Sequence, residues 1–467
     1  MNMQRTTRRQ FLSGGIALAA AGLMPKISLS APSLKPILLK AENKIIEINK
    51  KPAKIMALTS PGKDNLTFEA PGRFYVQLEN ALTEHTLIHW HGLLPPSDQD
   101  GVPELSQEAL APGSSFIYDF MIDEPGTHWM HSHFGLQEQK LLAAPLIIHP
   151  ANRTPAYREI ILFLQDFVFA DPVEIFEKLR GGKHDEHANH AGMSMGASTG
   201  HLHDFEPDAF LANQKTLDDP DIIYVESGET ILLRIINAAA TTNFVMDFSG
   251  LQAKLIAVDG IPVKNVSVVT PDVAIAQRLD VLVSIPKHGG VLPILAKREG
   301  EYQQAGLILA TSGQKIIKIS MLANQRTRQL NNTLERQLQA IKPLPNRAIE
   351  RDIEVVLGEG AGYQWGMYEQ GKAGLPIYVK FGQRVRLRLE NHTSMSHPIH
   401  LHGHRFQVVS LDNQKVSGAV RDTIWLPVHG KAEIVFDALN PGKWAFHCHH
   451  LYHMMAGMMT SLVYQDR

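Results

Sequence analysis

The chain has 467 residues, 44% apolar and 7% aromatic, with 45 Lys+Arg against 47 Asp+Glu for a net charge of −2. That length suggests three domains with packed cores, and the balanced charge excludes a basic nucleic-acid-binding face, an acidic tail and a disordered or collagen-like chain. A single cysteine, Cys448, excludes a disulfide framework and every multi-cysteine metal site, whereas the 23 histidines are about twice the ordinary usage.

The N-terminus reads as an address. Thr7-Arg8-Arg9-Gln10-Phe11-Leu12 sets two arginines before apolar residues, and a small, apolar stretch follows over 14–23. A stretch of that length is too short for a bilayer, which takes about 20 residues. Residues 1–31 are therefore expected to be a twin-arginine signal peptide with the twin-arginine export machinery as its partner. The mature protein is expected to be soluble and periplasmic, with no membrane span.

Behind the signal the chain repeats. Gly72-Arg73-Phe74-Tyr75-Val76-Gln77-Leu78-Glu79-Asn80 alternates apolar and polar residues and leads, nine residues after Asn80, to His89-Trp90-His91-Gly92. Gly382 to Asn391 does the same and leads, again after nine, to His400-Leu401-His402-Gly403. The middle copy runs from Gly228 to Asn237, and nine residues on it carries Met246 and then Phe248 where the others carry histidines. A second echo follows Gly126, with His131-Ser132-His133, and Gly442, with His447-Cys448-His449; counted from Gly289, the matching positions hold Ile294 and Ala296. Period-2 strands bounded by Gly, Pro and Asn predict an all-β chain of three consecutive Greek-key β-sandwich domains. Their expected bounds are 33–150, 151–315 and 345–467, with the polar stretch 316–344 as the linker into the third. The middle domain keeps the scaffold and lacks the ligands.

Residues i and i+2 of a strand project from one face, so each His-x-His can aim two imidazoles at one place. Four such pairs, two in the first domain and two in the third, predict eight imidazoles converging where those domains meet. Cys448, between His447 and His449, must face the other way and belong to a second metal. With His397, His453 and Met458 it offers two imidazoles, a thiolate and a weak thioether, the donor set of a blue-copper electron-transfer site.

HWHG at 89–92, HSH at 131–133, HPIHLHG at 397–403 and HCHHLYHMMAGM at 447–458 together resemble the four copper motifs of multicopper oxidases, in order and across all three domains. The resemblance implies cupredoxin-like domains and four copper ions. Type 1 copper would take His397, Cys448, His453 and Met458; type 2, His89 and His400; the type 3 pair, His91, His131, His133, His402, His447 and His449. It implies one-electron oxidation of a reductant coupled to reduction of O2 to water, with the Cys448 backbone joining the two centres. Asp100 matches the family's acidic residue near the cluster; read the other way, Asp100-Gly101 is a turn. Some members place a Glu just before the second type 1 histidine, where this chain has Tyr452. Leu93-Leu94-Pro95-Pro96, Gln137-Glu138-Gln139 and Leu451-Tyr452-His453 look most like the copper-resistance branch.

The reductant is approached through the segment 184–203. Its His184, His187, His190, Met193, Met195, His201 and His203 combine imidazoles with soft thioethers, which suit Cu(I). It reads as a loop of the middle domain that captures substrate metal, or as a solvated loop of biased composition. The first expectation is a metallo-oxidase acting on Cu(I), with Fe(II) also open. The alternative is a laccase-like oxidase of phenols and aromatic amines. A non-enzymatic cupredoxin scaffold would lack the ligands present here, and a copper nitrite reductase would not need eight cluster histidines.

Overall fold

The computed structural model describes residues 35–62, 65–152, 154–181 and 202–465. The twin-arginine segment and most of the His/Met segment, through His201, lie outside the described residues. Six sheets make three face-to-face pairs, as the alternating pattern predicts. In the first pair, Lys51–Thr59, Ile37–Ile48, Gly72–Asn80 and Ser115–Ile122 face Leu66–Ala70, Ala143–Pro150, Gly126–Ser132 and Ile88–His91.

Each pair carries the same parallel signature. Ile37–Ile48 runs parallel to Gly72–Asn80, Arg158–Phe167 to Thr230–Asn237, and Arg351–Gly360 to Arg384–Asn391. Parallel neighbours within largely antiparallel sheets require long connections between sheets, which is the Greek-key arrangement. Inward-facing apolar side chains of the two sheets form one core per sandwich, such as Phe74, Val76 and Leu78; Leu233, Leu255 and Leu307; and Leu387, Ile399 and Phe446.

The asparagine of each repeat has a physical task. Asn80 donates to the carbonyls of Glu84 and Leu110 and accepts from the Leu82 N–H. Asn237 donates to Thr242 and Val273 and accepts from Ala239. Asn391 donates to Met395 and Pro427 and accepts from Thr393. A buried amide at the strand end thus pins the connection that delivers the next strand, and with it the His-x-His.

Strand register corrects one correspondence. His89 lies opposite His131 and His400 opposite His447, and in the middle sandwich Met246 lies opposite Ala296. Ala296 therefore takes the place of His131 and His447, and Arg298, not Ala296, that of His133 and His449. Counting from Gly289 misplaced the set by two residues, because the turn before this strand is spaced differently. The polar stretch before the third sandwich is docked. Leu330 and Leu338 are buried, and Glu335, on the short helix Thr333–Gln337, pairs with buried Arg421.

Candidate metal centres

Strands Ile88–His91 and Gly126–Ser132 of the first sandwich meet His397–Leu401 and Lys443–Cys448 of the third, and the four His-x-His pairs converge at that seam. The rings of His89 and His402 lie 3.8 Å apart, as do those of His91 and His400. All eight imidazoles are buried, His133 being the most exposed at 8%. Their nitrogens fall into groups: His89, His91 and His400; His91, His131 and His449; His133, His402 and His447. Within these, Nε2 of His447 is 2.9 Å from that of His402 and 3.4 Å from that of His133, and Nε2 of His449 is 3.3 Å from that of His131. Two imidazole nitrogens about 2.05 Å from a shared tetrahedral ion would lie about 3.3 Å apart.

Hydrogen bonds on the far nitrogens set which atom faces inward. Carbonyls accept from Nδ1 of His89 (Asp100 O, 2.9 Å), His400 (Asp422 O, 2.9 Å), His131 (Ser132 O, 3.1 Å) and His447 (Cys448 O, 2.9 Å), leaving each Nε2 as a lone-pair donor. His91 is turned over: its Nε2 lies 3.2 Å from Asp422 Oδ1, which leaves Nδ1 inward. Nε2 of His89, Nε2 of His400 and Nδ1 of His91 are buried without a hydrogen-bond partner. Burial, then neighbouring histidines, pushes His91, His131, His133, His402 and His449 well below the usual imidazole range. Burial dominates at His447 too, which falls to about 3. Neutral rings with inward lone pairs and no partner fit a bound transition metal.

Asp100 is both a turn residue and a member of this site. It closes the short 3-10 turn Ser97–Gln99, and its buried carboxylate places Oδ2 2.8 Å from His402 Nδ1 and Oδ1 3.2 Å from His89 Nδ1. Burial raises its pKa, against the pull of His89. The glycine of each His-x-His-Gly clears space for a neighbour: a Cβ on Gly92 (φ +90°) would lie 2.4 Å from Arg278 Nη2, and one on Gly403 (φ +62°) 2.2 Å from the Trp444 ring.

Behind the His447 strand lies the second centre. Cys448 Sγ is 3.5 Å from His397 Nδ1 and 4.0 Å from His453 Nδ1, and those two nitrogens are 3.1 Å apart. Thr393 Oγ1 holds His397 Nε2 at 2.7 Å. Met458 is fully buried in the same core cluster as Cys448, and its carbonyl accepts from the Cys448 N–H. Burial pushes the Cys448 thiol up, so a thiolate here needs a cation beside it. The donor set fits copper.

Four participants carried no readable sequence signal for a role. Asp204 Oδ2 lies 3.0 Å from His453 Nε2 and 3.4 Å from His450 Nε2, and Tyr363 donates to it at 2.5 Å. Burial pushes Asp204 up, but His453 and His450 outweigh it and hold the carboxyl below its usual range. The His453 ring is sandwiched between His450 (3.8 Å) and Trp365 (4.1 Å). Glu138 Oε2 lies 3.0 Å from His131 Nδ1; in the sequence its triplet Gln137-Glu138-Gln139 carries only a resemblance to the copper-resistance branch. Asp422 and Arg278 form the third device, described below. Of the 184–203 set only His203 is described. Its Nε2 is 2.9 Å from the Glu299 carbonyl, and burial lowers its pKa to about 4.

Sequence models described as multicopper oxidase match residues 43–153, 182–314 and 351–467. The multicopper oxidase MmcO of Mycobacterium tuberculosis is 30% identical, over 99% of this chain and 97% of its own length. Copper resistance protein A of Escherichia coli is 26% identical, over 83% of this chain and 85% of its own. The crystal structure of Fet3p, a multicopper oxidase that functions in iron import, superposes with a TM-score of 0.74 at 19% identity, covering 92% of this chain and 90% of that one. With three sandwiches, metal-ready histidines at their seam and a relative that spans almost the whole chain, this protein belongs to the multicopper oxidase family, copper-dependent oxidoreductases that use O2 as acceptor.

Proposed function

We propose that the protein is a periplasmic metallo-oxidase that oxidises Cu(I), and also Fe(II), at the Cys448 centre and reduces O2 to water at the eight-histidine cluster. Four copper ions fill the two centres. His397, Cys448, His453 and Met458 hold the type 1 ion, His89 and His400 the type 2, and His91, His131, His133, His402, His447 and His449 the type 3 pair. The metals supply one-electron storage and the four-electron reduction of O2. The chain supplies the route and the protons' last step: Cys448 is bonded through backbone to His447 and His449, and the Asp100 carboxylate serves the cluster through His402 and His89. Export by the twin-arginine route follows from Thr7 to Leu12.

The observation that carries the choice of a metal is Asp204. Its carboxylate meets the outer nitrogen of His453, opposite the nitrogen that faces Cys448, and it follows His203 at the end of the His/Met segment. Half-buried Met454 and exposed Met455 stand on the same turn as His453. A negative charge at the outer edge of that ring, with soft sulfurs on the same turn, favours a cationic reductant.

The test is oxygen uptake by the copper-loaded protein with anaerobically supplied Cu(I), and with a phenol in parallel. Fast uptake with Cu(I), and phenol oxidation only when copper is added, is the expected result. Fast phenol oxidation indifferent to added copper, with slow Cu(I) turnover, would make it a laccase.

A further inference from the structure

Among its described residues the middle sandwich gives no histidine to the cluster, yet one of its side chains reaches it. Arg278 begins the strand Arg278–Ser284 and is fully buried. Its Nη1 donates to Asp422 Oδ1 at 2.7 Å and its Nη2 to Oδ2 at 2.6 Å. The other donors go to the carbonyls of Thr127 (3.1 Å), Ala276 (3.2 Å) and Asp259 (3.0 Å). All five N–H groups of the guanidinium are thereby used, on residues of all three sandwiches.

Asp422 passes that fixation on. Its carboxylate lies 3.2 Å from His91 Nε2 and its backbone carbonyl 2.9 Å from His400 Nδ1. Thr423 Oγ1 donates to the same carboxylate at 2.8 Å. The two-pronged contact from Arg278 leaves the carboxylate an acceptor toward His91. His91 must then carry its proton on Nε2, and among the imidazoles of the first sandwich's pairs whose far nitrogen is held by a hydrogen bond it alone presents Nδ1. Gly92 leaves room for this: any Cβ there would strike Arg278 Nη2 and His128 Nδ1.

We infer that Arg278 and Asp422 are positioning residues that turn His91 over, so that the middle domain is a working part of the trinuclear site. This rests on the copper assignment proposed above. Ligand histidines are oriented by carboxylates on their other nitrogen, and loss of such a partner weakens metal binding by about 10- to 100-fold.

The deciding variant is the double replacement Arg278→Met with Asp422→Leu in the full chain. Exchanging the ion pair itself for apolar groups of similar volume is close to neutral. Arg278→Met also strands the carbonyls of Thr127, Ala276 and Asp259, so a lower stability of the copper-free protein is expected. The Asp422 backbone carbonyl stays on His400. Copper per chain under chelator competition, the visible band of the Cys448 centre and thermal unfolding of the copper-free protein are measured together. Expected are an unchanged visible band and an unfolding transition that is lowered but still cooperative, with at least one cluster copper bound about 10- to 100-fold more weakly. Arg278→Lys should share the defect, because an ammonium cannot make the two-pronged contact. Wild-type affinity at every copper in these variants overturns the inference, as does equal loss at the Cys448 centre and at the cluster in a variant that still folds. Should the double variant not fold, Asp422→Asn decides by the same readings. A wild-type protein that binds no copper at the histidine cluster would instead refute the copper assignment itself.

Discussion

Asp204 Oδ2 lies 3.0 Å from Nε2 of His453, whose Nδ1 faces Cys448 Sγ at 4.0 Å. One imidazole thus joins a carboxylate on its outer edge to a thiol on its inner edge. Asp204→Asn removes the charge and keeps the size. A hydrogen bond to a charged group contributes about 1.5–3 kcal/mol, so kcat/KM for Cu(I) should fall by about 10-fold or more, with the visible band of the Cys448 centre retained. A variant with undiminished Cu(I) oxidation would remove Asp204 from the reductant's path.

What could be read in advance was local and repeated. The nine-residue step from Asn80, Asn237 and Asn391 was visible because one amide performs the same loop-pinning in each sandwich. The His-x-His pairs were visible because strand alternation alone puts both rings on one face. Asp422, Arg278 and Asp204 were not visible. Asp422 meets His91 from 331 residues away, and Arg278 meets Asp422 from 144. No period or spacing marks a contact made only when separate domains pack. The register of the middle sandwich failed for a related reason: a turn's residue count was used where cross-strand pairing decides.

Asn237 separates scaffold from chemistry. It holds the Thr242 and Val273 carbonyls in the middle sandwich, whose described residues add no histidine to the cluster. Asn237→Ala strands those buried groups and should cost about 2–3 kcal/mol in urea unfolding, with the copper content of the folded protein unchanged. Asn80→Ala should cost a similar amount and also lower copper occupancy, since its connection leads to His89. Equal copper loss in both would deny the distinction.

The copper-free protein should be acid-sensitive well above the carboxylate range. Burial lowers His203 and His404 to about 4, and His450 to about 3. An imidazole depressed in the folded state takes up its proton first in the unfolded chain, near pH 6.5. Stability is therefore full above about pH 6.5 and falls as the pH drops toward 4, by about 1.4 kcal/mol per pH unit for each such ring. Urea midpoints of copper-free protein between pH 7.5 and pH 4.5 read this directly. A flat profile across that window would mean that the rings are solvated after all.

Glu138 and Tyr452 offer a contrast between a buried carboxylate that meets two cluster rings and a buried hydroxyl without a hydrogen-bond partner among the described residues. Glu138 Oε2 lies 3.0 Å from His131 Nδ1 and its Oε1 3.9 Å from His449 Nδ1, so one side chain spans two rings of the same group. Burial, then Asp166, pushes its pKa well above the ordinary carboxyl range, which costs stability and needs a compensating role. Tyr452, just before His453, is buried with a hydroxyl that has no hydrogen-bond partner among the described residues. Glu138→Ala should weaken cluster copper about 10- to 100-fold. Glu138→Gln should weaken it less, because the amide oxygen still accepts from one ring. Tyr452→Phe removes only an unpartnered oxygen and should leave copper affinity and O2 uptake near wild type. Chelator titrations of the three variants settle the matter: if Tyr452→Phe loses copper and Glu138→Ala does not, the carboxylate that steadies His131 is not Glu138, and the hydroxyl on the His453 turn has a partner still to be found.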